Sequence, residues 1–368
     1  MAKRIISCIA AFVLLAASAA LSSCDLVNAS VQKTQPTYQY NDSAHWSANG
    51  GTEEPHSYIE GVCTVCGFAD PQNGNEEDAD PNPSKLDFAV YDTYAVVTGI
   101  GQNTDKHLVI PATYMGKPVT TIAERGLTYV LSEPQYDTIT LPDSITTIED
   151  NAFYLNTLKA LHIGKGLKNL SQRSLDDVAL ETITVDDQNP HLKVVDNVLY
   201  TKDGKTLVRY ASKKPDTEFT VPAGVEHIGP YAFRSCKNLT SITLPEGLKT
   251  IELGAFCWSD HLESINIPDG VTTIEDAVFG YTILTEVIFP DSVTYIGRDI
   301  FHMVMPLTHV HLGAQLETVP EAFLCSISQQ VELTISEDNP YFMISENVVY
   351  SKSDMSVVFE NTHPYPYW

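Results

Sequence analysis

Basic residues are scarce in this 368-residue chain. Lysine and arginine total 22 against 47 aspartates and glutamates, a formal charge of −25. Such a chain repels phosphate backbones and anionic headgroups, so no nucleic-acid partner is expected. Long apolar runs are missing too. Only Ile5 to Leu15 is strongly apolar, which is too short for a comfortable membrane span, and nothing beyond it is long enough to cross a bilayer. Signatures of catalysis are also missing: there is no G-x-S-x-G, no H-E-x-x-H and no phosphate-cradling glycine loop. Carboxylates are plentiful, but they sit mainly in turns such as Pro142-Asp143 and Pro268-Asp269, where aspartate ordinarily initiates a turn. No catalytic residue is therefore expected, and the chain reads as a binding protein rather than an enzyme.

Cysteine is limited to seven residues. Lys3 and Arg4 precede the short apolar run, and together they read as a secretory signal. Leu21-Ser-Ser-Cys24 follows and resembles the bacterial lipobox, in which the cysteine becomes the lipidated first residue of the mature chain. The resemblance implies lipidation at Cys24, contact with the membrane through that anchor alone, and an exported lipoprotein at the bacterial cell surface. The other reading is an ordinary signal cleaved near Ala19 or Ala20. Cys236, Cys257 and Cys325 each follow a phenylalanine and read as small buried hydrophobes.

The remaining pair, Cys63 and Cys66, forms a C-x-x-C knuckle downstream of His45 and His56. Two thiolates and two imidazoles make a tetrahedral donor set for zinc, so a structural zinc is the expected cofactor. A module this short needs such a staple to fold. A local Cys63–Cys66 disulfide, or a free dithiol, is the alternative.

The organisation follows from these segments: a lipoprotein signal over 1–23, a tether over 24–40, a His/Cys module over 41–70 and an acidic linker over 71–84. The linker is rich in Pro and Asn and cannot form a core. From residue 85 short β-type runs alternate with turns up to 356, and a tail occupies 357–368.

Repeats decide the fold of the long segment. Ile242-Thr-Leu-Pro-Glu-Gly-Leu-Lys-Thr-Ile251 aligns with Ile265-Asn-Ile-Pro-Asp-Gly-Val-Thr-Thr-Ile274 and with Val287-Ile-Phe-Pro-Asp-Ser-Val-Thr-Tyr-Ile296. Copies beginning at Phe219 and Ile139 fit the same frame, and weaker ones start near Leu108, Leu161, Ile183, Val310 and Leu333. A second anchor follows each copy, as in Ala232-Phe233, Ala255-Phe256 and Val278-Phe279. Within one repeat Leu239, Ile242 and Leu244 point inward, Ser241 and Thr243 point outward, and Pro245 ends the strand. Leu248, Ile251 and Phe256 complete an interior that only stacked neighbours can cover.

This pattern resembles the BspA-type leucine-rich repeat, from about residue 86 to 350. The resemblance implies a repeat solenoid of mostly short strands and turns with little regular helix, and it implies adhesion. A longer period is superimposed: Asp187-Gln-Asn-Pro190 and Asp196-Asn-Val-Leu-Tyr200 recur as Glu337-Asp-Asn-Pro340 and Glu346-Asn-Val-Val-Tyr350. These read as hairpin inserts near 186–215 and 336–360.

The outward strand positions form the candidate binding face: Ser241, Thr243, Ser264, Asn266, Glu286, Ile288, His309 and His311. The expected partner is an extracellular protein or polymer, bound by a monomer. Thr and Ser on such a face also serve as plain solvated strand residues. Rival readings are a spacer presenting a further C-terminal domain and, behind it, a hydrolase of surface polymers.

Overall fold

The structure is a computed structural model. It describes residues 84–128, 136–154, 158–175, 178–320, 322–324, 327 and 331–360, and the backbone of five short strands between 38 and 63. The chain divides into two compact units, Met1–Asn75 and Glu76–Trp368. In the first, Tyr38–Tyr40, Ala44–Ser47 and Glu54–Pro55 form an antiparallel sheet, and Tyr58–Ile59 pairs with Val62–Cys63.

The second unit is a β-solenoid of about ten turns, and its described residues contain no helix. Each full repeat contributes two strands, and each kind of strand stacks in register on its counterpart in the next repeat. Ile139, Leu161 and Ile183 lie in one parallel column. Phe219, Ile242 and Ile265 form another, and Val287, Val310 and Leu333 a third. On the second strand, Ile228, Ile251, Ile274 and Ile296 stack in the same way. The alternation of the sequence sets this arrangement: the β-branched residue between two polar ones turns inward, and its neighbours turn out. Ile242 and Ile251 are accordingly buried, while Thr243 is exposed.

The repeat phenylalanines build a ring ladder through the interior. Tyr210, Phe233, Phe256 and Phe279 follow one another at centroid distances of 5.4, 5.3 and 5.9 Å. Phe301, Phe323 and Phe359 continue the series at 5.8, 5.7 and 5.8 Å. The turn before each Ala-Phe anchor places one residue in the left-handed region: Asn151, Tyr231, Gly254, Ala277 and Asp299 have φ of 55°, 53°, 57°, 56° and 53°. The reversal brings the bulky ring inward in every copy.

Two three-stranded hairpins interrupt the repeats. The first comprises Leu192–Val195, Val198–Thr201 and Thr206–Tyr210, and the second Phe342–Ser345, Val348–Ser351 and Val357–Glu360. Each first turn has two residues at positive φ, Asp196 and Asn197 at 49° and 58°, Glu346 and Asn347 at 51° and 61°. That is the geometry of a two-residue hairpin turn whose twist matches its strands. The hydrophobic interior forms two clusters, one from Leu86 to Ala211 and one from Val198 to Val349, which overlap in chain position at the first hairpin. The deepest hydrophobic groups assigned from the sequence, including Leu239, Leu248 and Phe256, are fully enclosed.

Candidate functional site

The outward side of the first-strand ladder presents its side chains in columns. Glu218, Ser241 and Ser264 are register partners, as are Glu286, His309 and Glu332. Ile288, His311 and Thr334 form the adjoining column. Because parallel register repeats each position one strand further on, residues far apart in sequence meet on one surface.

The columns are hydrogen-bonded across repeats. His309 Nδ1 lies 2.8 Å from Glu286 Oε1, and its Nε2 lies 3.0 Å from Thr334 Oγ1. His311 Nδ1 lies 2.9 Å from the same Thr334 oxygen. One threonine thus holds both imidazoles, and Glu286 orients the first. Ile288 stands beside them 53% exposed, an apolar group next to three polar ones. Towards the other end of the solenoid, His107 and His162 make the same kind of contact, with Thr138 at 3.0 Å and Thr184 at 2.7 Å.

Ser241 is half-buried, whereas Thr243 and Ser264 are exposed. Asn266 behaves differently. Its Oδ1 accepts from Leu244 N at 3.0 Å, and its Nδ2 donates to Leu244 O at 3.5 Å. The side chain takes the backbone's place at the end of the strand, and the first-strand ladder is interrupted between Ser264–Ile265 and Glu286–Ile288. Ile265 and Ile267 beside it are only partly buried. Part of Asn266's hydrogen-bonding capacity is therefore spent within the fold.

His45 lies on Ala44–Ser47, opposite Tyr40 and Glu54, and Cys63 lies on Val62–Cys63, opposite Tyr58. Their side chains, and Cys24, His56, Cys66 and Cys325, fall outside the described residues. Among the described residues no group of three or more His, Cys, Asp or Glu side chains could hold a metal ion. The His309–His311 patch is therefore a hydrogen-bonded polar surface. Cys236 and Cys257 are buried, Cys257 Sγ accepts from Arg234 Nη1 at 3.4 Å, and burial pushes the Cys236 thiol up to about 12.

A charged network that the sequence did not disclose joins the first hairpin to the repeat that follows. Lys214 Nζ donates to Asp196 Oδ2 at 2.6 Å and also to Asp216, and Tyr210 donates its hydroxyl to Asp216 at 3.0 Å. The ammonium lies 5.7 Å from the Tyr210 ring centroid and 6.0 Å from that of Phe219. Burial works against the Lys214 charge, but the two carboxylates outweigh it and leave its pKa raised. Lys214 in turn holds Asp216 below the ordinary carboxylate range. Burial, with Asp216 beside it, pushes the Tyr210 phenol upward. Every member is paired, so the network acts as a clamp.

Stacked strand pairs, in-register columns and an interior ring ladder define a leucine-rich-repeat solenoid. The BspA type leucine-rich repeat region matches this chain in six copies, over residues 127–200 and 210–334. The chain belongs to that family. Among solved structures, a leucine-rich repeat protein from Eubacterium ventriosum shares 23% identity at a TM-score of 0.54, covering 72% of this chain and 78% of its own, and it has the same fold. The Pneumococcal vaccine antigen PcpA aligns at 20% identity with a TM-score of 0.43, over 70% of this chain and 84% of its own. A leucine rich cell surface protein from Faecalibacterium prausnitzii aligns at 20% identity with a TM-score of 0.41, over 69% and 94%. No curated protein matches the sequence.

Proposed function

We propose that this chain is a surface binding protein, which uses the outward side of its first-strand ladder to hold an extracellular protein or polymer. The observation that carries the reading is the patch of Glu286, Ile288, His309 and His311, where an exposed isoleucine adjoins two imidazoles already oriented by Glu286 and Thr334. An apolar centre ringed by fixed polar groups is the common composition of a recognition patch. Solenoids bind across such extended surfaces because neighbouring repeats present equivalent positions side by side.

The supporting experiment is capture from purified extracellular-matrix proteins and bacterial surface polymers, comparing the intact chain with an Ile288→Asp, His309→Ala, His311→Ala variant. A partner retained by the intact chain and lost by the variant supports the reading. Equal retention by both would sink it.

The reading extends to the N-terminal segment. The chain is carried outside the cell by its signal and held there by a lipid on Cys24. Incorporation of a labelled fatty acid into the wild-type chain but not into Cys24→Ala is the expected result, and equal labelling of the two would exclude that anchor. His45, His56, Cys63 and Cys66 bind one structural zinc. The zinc content of the purified chain should fall from one per molecule to none in Cys63→Ser, and a metal-free wild type would remove the zinc.

A further inference from the structure

Between Lys249 and Lys352 the chain carries fifteen aspartates and glutamates but a single lysine or arginine, Arg298. Arg298 follows Ile296 on the second-strand side, away from the outward face of the first strands. The outward positions of the described first strands, from His107 to Thr334, hold no lysine or arginine. Negative charge borders the patch of the proposed site. Glu286 and Glu332 flank His309 in register, and Glu346 stands in the hairpin turn whose Asn347 accepts from Leu333 N at 3.1 Å.

The partners of His309 and His311 fix where the ring hydrogens sit. An ionised carboxylate only accepts, so neutral His309 carries its hydrogen on Nδ1, 2.8 Å from Glu286 Oε1. Its Nε2 is then bare and takes a hydrogen bond from the Thr334 hydroxyl at 3.0 Å. Threonine has one hydroxyl hydrogen. With that hydrogen spent on His309, Thr334 Oγ1 accepts from His311 Nδ1 at 2.9 Å. His311 Nε2 is therefore left bare. Among the described residues nothing bonds it, and it is not enclosed.

His107 and His162 lack this constraint. Each meets a threonine, Thr138 at 3.0 Å and Thr184 at 2.7 Å, and a hydroxyl can give or take. Glu286 breaks that symmetry at the C-terminal end of the ladder, because one carboxylate sets the direction of three consecutive bonds. Ile288 is the register partner of His311 and is largely exposed. The surface at this point offers an aliphatic group, a fixed acceptor and flanking negative charge.

We propose that this patch holds a basic polypeptide segment, with the stem of a lysine or arginine on Ile288 and its N–H on His311 Nε2, between Glu286 and Glu332. The inference rests on the proposed binding face and names the chemistry of its partner. Lysine and arginine combine an aliphatic stem with several N–H donors and a positive charge. A carboxylate in the same place would meet Glu286, Glu332 and a bare nitrogen, all acceptors. The acidic repeats around the patch draw a basic partner in. Acid reverses the recognition. A proton taken up by His309 pairs with Glu286, and one taken up by His311 turns its Nε2 into a donor. Donor then faces donor and cation faces cation, so the segment leaves.

Two measurements on the full chain test this. The first is long-range proton–nitrogen magnetic resonance with labelled histidine, His311 being assigned by its loss in His311→Gln. At neutral pH the His311 hydrogen should sit on Nδ1, and a neutral ring with its hydrogen on Nε2 would overturn the proposal. The second selects a displayed library of random heptapeptides on the chain at about pH 7.5 and repeats the binding at about pH 5.5, across the range where imidazole ordinarily takes its proton. Selected segments should carry lysine or arginine beside an aliphatic residue. They should bind at least ten-fold more weakly to His311→Ala and to Ile288→Asp, and lose at least ten-fold in affinity at the lower pH. A chain with both His309→Gln and His311→Gln should lose less than three-fold over that range, because glutamine does not titrate. Neutral or acidic segments that depend on Ile288 would overturn the basic partner and leave the binding face standing. Basic segments held equally by His311→Ala, as overall charge alone would hold them, would also overturn it. No segment dependent on Ile288 would remove the face and this inference together.

Discussion

Asn189 and Asn339, 150 residues apart in sequence, make the same four hydrogen bonds. Asn189 Nδ2 donates to Gly164 O at 2.9 Å and Leu167 O at 3.1 Å, and its Oδ1 accepts from His191 N and Leu192 N. Asn339 Nδ2 donates to Gly313 O and Leu316 O, both at 3.1 Å, and its Oδ1 accepts from Tyr341 N and Phe342 N. Both side chains are fully buried. Each asparagine pairs the carbonyls of the preceding turn with the amides that start a hairpin. Replacing either by alanine leaves several buried backbone groups without that partner, at roughly 1–3 kcal/mol for each group left unsatisfied. Asn189→Ala and Asn339→Ala should therefore each lower stability by about 3 kcal/mol in chemical denaturation. Losses below 1 kcal/mol in both would mean that water replaces the side chain.

The ring ladder makes a second prediction. Phe256 lies between Phe233 and Phe279 and is fully buried. Phe256→Ala should cost about 3–5 kcal/mol, because it removes transfer energy and empties the coil at that level. Thr243→Ala, on the exposed side, should cost well under ~1 kcal/mol. Equal losses at the two positions would reverse the inward and outward assignment.

These two cases mark what the sequence discloses. The solenoid, its inward residues and the candidate columns are legible, because alternation and a 22- or 23-residue spacing repeat often enough to fix a register. The asparagine device is visible only as a repeated Asn-Pro pair. Nothing local says that its amide reaches back to Gly164 or Gly313. Asn266 is ambiguous for a related reason: an asparagine side chain can face solvent or imitate the backbone, and here it bonds Leu244. Arg209 and Lys214 are silent in sequence, because a cation amid β-type residues reads as an outward position until the hairpin folds it in.

Gly254 illustrates a constraint that spacing does not reveal. It holds a position at which other repeats carry Asn151, Tyr231, Ala277 and Asp299, all with positive φ. A Cβ at Gly254 would lie 2.5 Å from Tyr231 Cε1, so the glycine makes room for the ring that Arg173 and Arg234 approach. Gly254→Ala combines this clash with a left-handed backbone and should cost roughly 1–3 kcal/mol. Gly247 has φ outside that region, and its nearest contact, Ala223 O, is at an ordinary 3.6 Å. Gly247→Ala should stay within about 0.5 kcal/mol. Thermal denaturation of the two variants under identical conditions checks the contrast, and a Gly254→Ala chain as stable as wild type would show that the Tyr231 ring moves aside freely.

Acid sensitivity should concentrate at Glu226 on the second-strand ladder. Its carboxylate accepts from Lys205 of the first hairpin at 2.8 Å on one side and from Lys249 of the next repeat on the other. Hydrogen bonding to Lys205, and then to Lys249, lowers its pKa from 4.5 to about 2. A carboxylate depressed in the folded state contributes stability above its unfolded pKa and loses it as the pH falls through the folded value. The contribution is therefore complete above about pH 4.5 and fades towards pH 2. Glu226→Gln should lower stability at neutral pH and flatten its decline across that window, with the two chains converging near pH 2. Because the pair is solvent-accessible, molar salt should shrink the difference. Parallel stability curves for wild type and Glu226→Gln from pH 6 to pH 2 would show that this three-residue ion ladder does not couple the repeats.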